Sequence, residues 1–422
     1  MVANSRGRWD VIVIGGGAAG LFAATVASQR GRRVLLIEKN PQLGVKILMS
    51  GGTRCNITHD CTWRELAERF EPAARRFLKP ALAALTPQMV MDIVEAEGVP
   101  TKVESTGKVF PVSNRAVDVR DALQRRAVQA GVVFQLGCSV VNIRRDEAEF
   151  VCQCRVTGEP DDIDFASESL IITSGGQSYP GCGTTGDGYA WAAAFGHKVQ
   201  PLKPALTPLI TETAWVRALR GVTVESCRVR LFCENNKKPI AEERSSLLFT
   251  HFGLSGPAAM NISRFVATVT AEPRPYLEID WVPGSDQDHL FAAFATRRIR
   301  DGKRQVIGTS PTEMPQRLWQ TLCELVELSP ETRWAELPRS QERKLVEMLK
   351  GSRVVLHGTM GYRKAEVTAG GVALDEVNPR NMESLRVPRL FFAGEILDID
   401  GPIGGFNFQA AFSTGALAGQ FA

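Results

Sequence analysis

Val11-Ile12-Val13-Ile14-Gly15-Gly16-Gly17-Ala18-Ala19-Gly20, followed by Val34-Leu35-Leu36-Ile37-Glu38, decides how this chain is read. An apolar run of strand length enters a Gly-x-Gly-x-x-Gly turn, and the turn opens a proline-free, small-residue stretch from Ala18 to Ser28. The three glycines do different things. Gly15 makes the tight turn, Gly17 admits a pyrophosphate to the backbone, and Gly20 lets the helix lie close on the sheet. Ala18 and Ala19 then present first-turn amides to the anion. Glu38 ends the second strand eighteen residues past Gly20, with Lys39 beside it. An acid there accepts from a ribose 2′-hydroxyl and disfavours a 2′-phosphate, which points to FAD or NAD over NADP.

Arg6 and Arg8 ahead of a nearly uncharged stretch from Val11 to Ser28 also resemble a secretion signal. Four glycines interrupt that stretch, no small-residue cleavage site follows, and the pattern continues as β-α-β, so the nucleotide reading is preferred. The remaining composition is that of a soluble globular α/β protein: 422 residues, 44% hydrophobic and 23% charged, long enough for two or three domains. Fifty basic and forty-six acidic residues give a formal charge of +4 without a basic tail, which leads to an expectation of a small-molecule substrate and neither nucleic acid nor membrane as partner. Nine cysteines include no Cys-x-x-Cys, and five histidines are scattered. That pattern suggests free thiols in a reducing, cytoplasmic setting and argues against a metal site. Oligomeric state is not encoded in any of these features.

Working outward, Trp63 to Glu97 reads as helix broken near Pro80 and Pro87, and Asp118 to Ala130 as a further helix. Val132–Ile143, Phe150–Val156 and Ser169–Thr173 read as strands. Past Pro201 come strand-like segments at 206–210, 222–233, 246–250 and 276–281, and from 286 to 350 the apolar spacing turns helical. The pattern predicts a discontinuous Rossmann-like domain from residues 1–197 and 351–422, a β-rich insert at 198–285 and a helical insert at 286–350.

Near the C-terminus the opening logic repeats: Leu390-Phe-Phe-Ala-Gly394-Glu395, then Gly404-Gly405-Phe406-Asn407 leading into small residues. In flavoproteins a second helix N-terminus of this kind can face flavin N1 and the C2 carbonyl, where charge accumulates on reduction, with an effect of about 0.3–2 kcal/mol; a second structural βα unit without a ligand is the alternative. Three further glycine clusters, Ser50-Gly51-Gly52-Thr53-Arg54-Cys55-Asn56, Thr173-Ser174-Gly175-Gly176 and Thr368-Ala369-Gly370-Gly371, can bring backbone against a ring or a phosphate, or simply turn the chain.

These motifs resemble bacterial NAD(P)/FAD-dependent oxidoreductases of the BaiN/RdsA (YhiN-like) type, also described as the aminoacetone oxidase family. The matching blocks are Gly15–Gly20, Lys46–Asn56, Thr173–Gly188, Leu248–Pro257, Ala365–Val372 and Phe392–Ala411, and they span the chain. Thr53 stands where a glycine is usual. The resemblance implies non-covalent FAD, with Arg54, Asn56 and Glu395 completing ribityl and phosphate contacts, Lys46 among the cofactor-binding residues and Val140 offering backbone to adenine. It also implies hydride transfer through flavin N5, either to a conjugated carbon–carbon double bond or from an amine. A flavin-bound regulatory protein is the non-enzymatic alternative. No second dinucleotide fingerprint appears, so NADH or NADPH, if used, docks transiently. Fumarate-reductase-like flavoproteins carry histidine and arginine near the final glycine run, where this chain has Asp400-Gly-Pro-Ile-Gly404, so a dicarboxylate substrate is disfavoured.

For chemistry at the substrate, His251 and Arg54 are the candidates. His251 lies in a short turn before Gly253, Ser255, Gly256 and Pro257, and its neutral-pH titration suits acid or base work, although local backbone could equally satisfy it. Arg54 could pair with phosphate, flavin or substrate, or form a surface salt bridge. Cys55 reads either as a redox thiol or, more simply, as a buried inert one.

Overall fold

The computed structural model describes residues 8–233, 237–267 and 274–422. The chain resolves into two units, residues 1–203 with 366–422, and residues 204–365.

The first unit is built on the predicted β-α-β. Strand β1 (Arg8–Ile14), helix α1 (Ala18–Gln29) and strand β2 (Val34–Glu38) follow in order, and β1 pairs parallel with β2, Val11 opposite Val34 and Ile14 opposite Ile37. Val11–Ile14 and all of β2 are buried, as strands covered on both faces must be. On the other side β1 pairs parallel with Ile163–Ile172, whose last residues also carry Leu390–Phe392 in parallel. The first half of Ile163–Ile172 instead pairs antiparallel with Glu149–Val156, which pairs in turn with Cys138–Asp146. One strand therefore receives both the antiparallel hairpin and the returning C-terminal segment.

The closing helix Phe406–Phe421 packs on α1 through glycines four residues apart. A Cβ at Gly415 would lie 2.2 Å from the Ala19 carbonyl oxygen, and one at Gly419 would lie 2.2 Å from that of Ala23. Only glycine lets the two backbones approach this closely. Arg30, just past α1, donates to the Gly419 and Ala422 carbonyls and so satisfies two acceptors at the end of the closing helix.

Pro80 does not break its helix. Pro72–Ala84 is continuous, and Phe77, Leu78, Ala81 and Leu82 are buried around the proline, so tertiary packing offsets the lost backbone bond. Pro87 does open a new helix, Pro87–Ala96, with Thr86 accepting from the Met89 N–H as its cap.

The second unit is a seven-stranded antiparallel sheet in the order Ser352–Val355, Tyr276–Asp280, Thr223–Phe232, Ala241–Thr250, Gly253–Ser255, Leu209–Ile210, Gly358–Thr359. Its two edge strands are separated by only two residues of chain. The sheet must therefore curl until its edges nearly meet, and the Thr211 hydroxyl, just past Leu209–Ile210, donates to the Val355 carbonyl on the opposite edge strand (2.6 Å). This pairing holds residues 352–359 in the second unit, so the chain re-enters the first unit at Glu366 rather than at 351. Barrel residues Val229, Leu247 and Ile279 share one apolar core with helical residues Phe294, Trp319, Leu322 and Leu345. The β-rich and helical stretches thus bury a common core. Among the described residues no helix is long and apolar enough to cross a membrane.

Candidate functional site

At the end of β1 the three fingerprint glycines have different surroundings. A Cβ on Gly15 (φ +104°) would sit 2.6 Å from the Thr173 carbonyl oxygen, and one on Gly20 would sit 1.8 Å from the Gly15 carbonyl oxygen. Gly17 is open, because a Cβ there would meet nothing within 4 Å. Gly17 is also the N-cap of α1, with no side-chain cap and no acid in the first turn. The amides of Ala18, Ala19 and Gly20 have no acceptor within the helix and are free to receive an anion.

Glu38 is buried, and its carboxylate accepts from the Gly16 N–H (2.6 Å) and from both the backbone and side-chain nitrogens of Asn40 (2.8 Å each). A carboxylate has about four acceptor positions, so one remains for a hydroxyl. Lys39 is engaged elsewhere, donating to Asp187 and Thr185 (2.6 Å each). Val140 lies on the strand Cys138–Asp146 next to an irregularity in register between Val140 and Asn142.

A second group of residues is tied together by Thr368 and Glu395. Lys46, on helix α2 (Val45–Thr53), donates to Glu395 at 2.5 Å, and the other Glu395 oxygen accepts from the Thr368 N–H at 2.9 Å. The Thr368 hydroxyl takes the N–H groups of Gln177 (2.8 Å) and Ser178 (3.1 Å). Gly176 is required here, because its Cβ would fall 2.4 Å from the Thr368 hydroxyl and 2.8 Å from the Glu395 carboxylate. The side-chain oxygen of Ser174 is buried without a hydrogen-bond partner among the described residues. Buried hydroxyls are normally satisfied, so this atom points to a ligand.

The chain from Ser50 to Cys55 takes an unusual path. Gly51, Gly52, Thr53 and Cys55 all have positive φ, and Thr53 (φ +68°) adopts at a cost the conformation that glycine adopts freely. Arg54 does not hang free: it pairs with Glu104 (2.7 Å) and lies 3.9 Å above the Phe110 ring, and the pairing holds the Glu104 carboxyl below its usual range. Cys55 is fully buried with its thiol pushed up to about 12, which leaves it protonated and inert.

The turn before the closing helix is fastened from strand β3 (Thr58–His59). The Asn56 amide, with nitrogen toward the Thr58 and Val109 carbonyls, accepts from the Gly405 N–H at 2.9 Å. Thr58 donates to Gln409 (2.7 Å), and a Cβ on Gly405 (φ +88°) would strike the Thr58 carbonyl at 2.5 Å. His59 Nδ1 lies 3.1 Å from the Gly404 carbonyl, and its ring stacks on Phe406 at 4.8 Å. Burial lowers its pKa. Asn407 closes the loop on itself, accepting from the Gly401 N–H (2.8 Å) and donating to its carbonyl (2.9 Å). Gly394 (φ +78°) donates to Thr414 at 3.0 Å. The closing helix, like α1, lacks a side-chain N-cap.

The first unit thus holds the uncapped, glycine-lined N-termini of α1 and of the closing helix, an acid with one acceptor position to spare and an orphaned hydroxyl. This donor set fits FAD: α1 and Glu38 suit the pyrophosphate and ribose, and the closing helix suits the flavin ring. Thr58, His59 and Glu366 are not singled out by the sequence, and Thr368 enters it only as the head of the Thr368–Gly371 cluster. His59 lies three residues beyond Asn56, and Glu366 and Thr368 lie inside the Ala365–Val372 block, so proximity to a glycine motif is the one available signal. Glu366 is exposed on its surface, yet surrounding protein pushes its carboxyl pKa up, against the pull of Lys46 and Lys108. In the second unit, His251 occupies the exposed turn between Ala241–Thr250 and Gly253–Ser255, edge-on to Phe252, with no hydrogen-bond partner among the described residues.

Comparison with known proteins identifies the family. The HI0933-like protein Rossmann domain family matches residues 9–421. The ribosomal RNA dihydrouridine synthase of Escherichia coli K12 is 34% identical over 98% of both chains. The 3-dehydro-bile acid delta(4,6)-reductase of Clostridium scindens is 28% identical over 97% of this chain and 98% of its own. In fold, the chain is similar to the 3-ketosteroid-delta4-(5alpha)-dehydrogenase of Rhodococcus jostii RHA1, with a TM-score of 0.50 at 15% identity, covering 100% and 98% of the two chains. The chain therefore belongs to the HI0933-like Rossmann family, and the enzyme class that goes with it is FAD-dependent oxidoreductase.

Proposed function

We propose that this protein reduces a ring carbon–carbon double bond conjugated to a carbonyl, with FAD fed by NADH or NADPH, and that its substrate is a uridine of ribosomal RNA. The carrying observation is full-length similarity to two proteins whose names describe one chemistry on different rings. Uridine becomes dihydrouridine, and a bile-acid dienone loses unsaturation, by addition of two hydrogens next to a carbonyl. Higher identity to the RNA-directed relative favours the uridine. Charge distribution supports it as well. Residues 204–365 contain 23 Lys and Arg against 18 Asp and Glu, while the rest of the chain contains 27 against 28. The expectation of a substrate outside nucleic acid rests on a small net charge and the lack of a basic tail, neither of which registers this asymmetry.

When bound, FAD supplies a hydride carrier at N5. The chain holds it by the α1 amides, Glu38 and the Gly404–Phe406 turn, and Lys46 with Glu395 fixes the loop around Ser174. Reduction also needs a proton at the neighbouring carbon. His251 retains an unengaged imidazole and Glu366 a carboxyl that stays protonated to higher pH than usual, so these two are the candidates for supplying it. Arg54, held by Glu104 and Phe110, serves in binding.

The test is anaerobic mixing of the yellow protein with NADH or NADPH, followed by ribosomal RNA transcribed in vitro and free of modified bases. Bleaching of the flavin band, its recovery on adding RNA, and a mass gain of two hydrogens in one uridine are expected. Failure of both nucleotides to bleach the flavin overturns the electron source. Recovery with a steroid enone but not with RNA overturns the substrate and returns the small-molecule reading.

A further inference from the structure

The second unit carries a compact cationic face that none of the flavin-site residues explain. Helix Gln287–Arg300 ends in Arg297, Arg298 and Arg300, and the chain continues through Asp301-Gly302-Lys303-Arg304. This turn is bonded to a second basic segment: the Trp334 N–H donates to the Arg304 carbonyl (3.0 Å), the Ala335 N–H donates to the Gly302 carbonyl (3.1 Å), and Arg298 reaches Glu342 (3.0 Å). Residues 297–304 and 333–344 together hold nine Lys and Arg against three Asp and Glu.

Two of those three acids do not offset the surface charge one for one. Asp301 is buried and shared by Arg297, Arg300 and Arg304, and Glu342 is buried and shared by Arg298 and Arg339. Five guanidiniums thus stand on two carboxylates, while Arg300, Arg304 and Arg339 remain 66%, 68% and 76% exposed. Lys303, Arg343 and Lys344 are exposed with no ion-pair partner among the described residues. Ile299, 88% exposed, projects from the middle of the basic run.

The face is also rigid. Beneath it Trp334 stacks on Trp319 (6.4 Å, 7°) and meets Phe294 edge-on (5.5 Å), while its indole donates to Thr309 and that of Trp319 donates to the Val306 carbonyl (2.8 Å each). A helix C-terminus attracts cations, which accounts for one turn of basic residues. It does not account for those at 303–304 and 333–344, which lie outside that turn. Fixed guanidiniums spread over about two helix turns, with an apolar side chain among them, match a polyanionic backbone with unstacked bases better than a single phosphate.

We propose that this face, centred on Arg300, Lys303 and Arg304, is where the protein binds the phosphate backbone of its RNA substrate. The inference rests on the reading of the substrate as ribosomal RNA. The test compares three full-length, FAD-loaded proteins for binding to unmodified ribosomal RNA transcript across a salt series: wild type, R300Q/K303Q/R304Q, and R76Q/K79Q/K198Q. The last removes the same charge from exposed positions of the first unit. Flavin content and urea midpoint are measured on each.

Each lost phosphate contact lowers the slope of log K against log salt by roughly 0.7–0.9, so the first variant, with three lost, should lose about 2–3 units of slope and at least tenfold in affinity. The control should stay within about twofold. Equal loss in both variants, or no loss in the first, overturns the surface and leaves the uridine reading intact. If wild type does not bind RNA at all, the uridine reading fails and this inference falls with it. Binding to phosphatidylglycerol vesicles through the same residues, without RNA binding, assigns the face to a membrane and overturns the proposal.

Discussion

Replacing Gly17 and Gly20 by alanine should separate ligand binding from folding. At Gly17 the backbone has φ −84° and ψ −162°, which alanine adopts without strain, and the added methyl meets no protein atom. Alanine is a poorer N-cap than glycine, but it also reduces the freedom of the unfolded chain, so the apo protein should change by less than about 1 kcal/mol. The methyl instead occupies the space through which a pyrophosphate reaches the α1 amides. Loss of one or two charge-assisted hydrogen bonds, at about 1.5–3 kcal/mol each, amounts to roughly 1.5–6 kcal/mol. That corresponds to about 10-fold to 10⁴-fold in FAD dissociation constant. At Gly20 the methyl would lie 1.8 Å from the backbone oxygen of Gly15, where no rotamer change can relieve it, and the fold should lose about 3 kcal/mol or more. Urea unfolding of the apo proteins and titration with FAD followed by flavin fluorescence measure the two effects independently. If G17A binds FAD within threefold of wild type, α1 is not the pyrophosphate site. If G20A unfolds like wild type, the close approach of helix to turn is not required.

Thr53→Gly should stabilise the protein by about 1 kcal/mol in urea, because it relieves a β-branched residue at φ +68°; an unchanged or lowered midpoint would remove the assignment of strain. Lys46→Met should lower FAD affinity and destabilise by about 1–3 kcal/mol, since Glu395 would keep a half-buried charge with only the Thr368 N–H, and K46M/E395Q should recover part of the loss. His59 and His197 both have pKa values lowered by burial, so below pH 6.5 the unfolded chain binds protons that the native one refuses. Stability is then full above pH 6.5 and declines as pH falls through the folded values, and H197Q should flatten that acid limb in denaturation curves taken from pH 7.5 to 5. Glu366→Gln should retain FAD yet abolish any alkaline limb that this carboxyl imposes on the rate of acceptor reduction; an unaltered pH profile would leave His251 as the proton source.

The elements that the sequence announces are those in which local pattern and tertiary need agree. β1 and β2 are apolar runs bounded by glycine and acid, and their parallel pairing follows from an intervening helix of fixed length. Pro80 shows the opposite case: a residue that locally disfavours helix sits within one because its neighbours Phe77 and Ala81 are needed in the core. The unit boundary at Glu366 is not readable for a related reason. Whether 352–359 belongs to one unit or the other is set by pairing with Tyr276–Asp280 and Leu209–Ile210, tens of residues away, and no local period records the partner.

The site divides along the same line. Glycine positions are legible because a missing side chain is a local fact with a local cause, and Gly15, Gly20, Gly176 and Gly405 each stand where a Cβ would meet backbone or a fixed side chain. The functions of charged residues are not legible in that way, because a charge takes its meaning from its partner. Lys46 and Arg54 read alike in the sequence, and the fold gives one to Glu395, beside the loop around Ser174, and the other to Glu104 and Phe110. His251 draws the eye in the sequence because it stands in a glycine-rich turn, and nothing local marks His59; yet it is His59 whose ring is fixed against the Gly404 carbonyl and Phe406 at the head of the closing helix. A flavin seated on that helix would therefore be held by a turn whose shape depends on an imidazole, and the protonation of His59 would be felt at the ring through the position of Gly404.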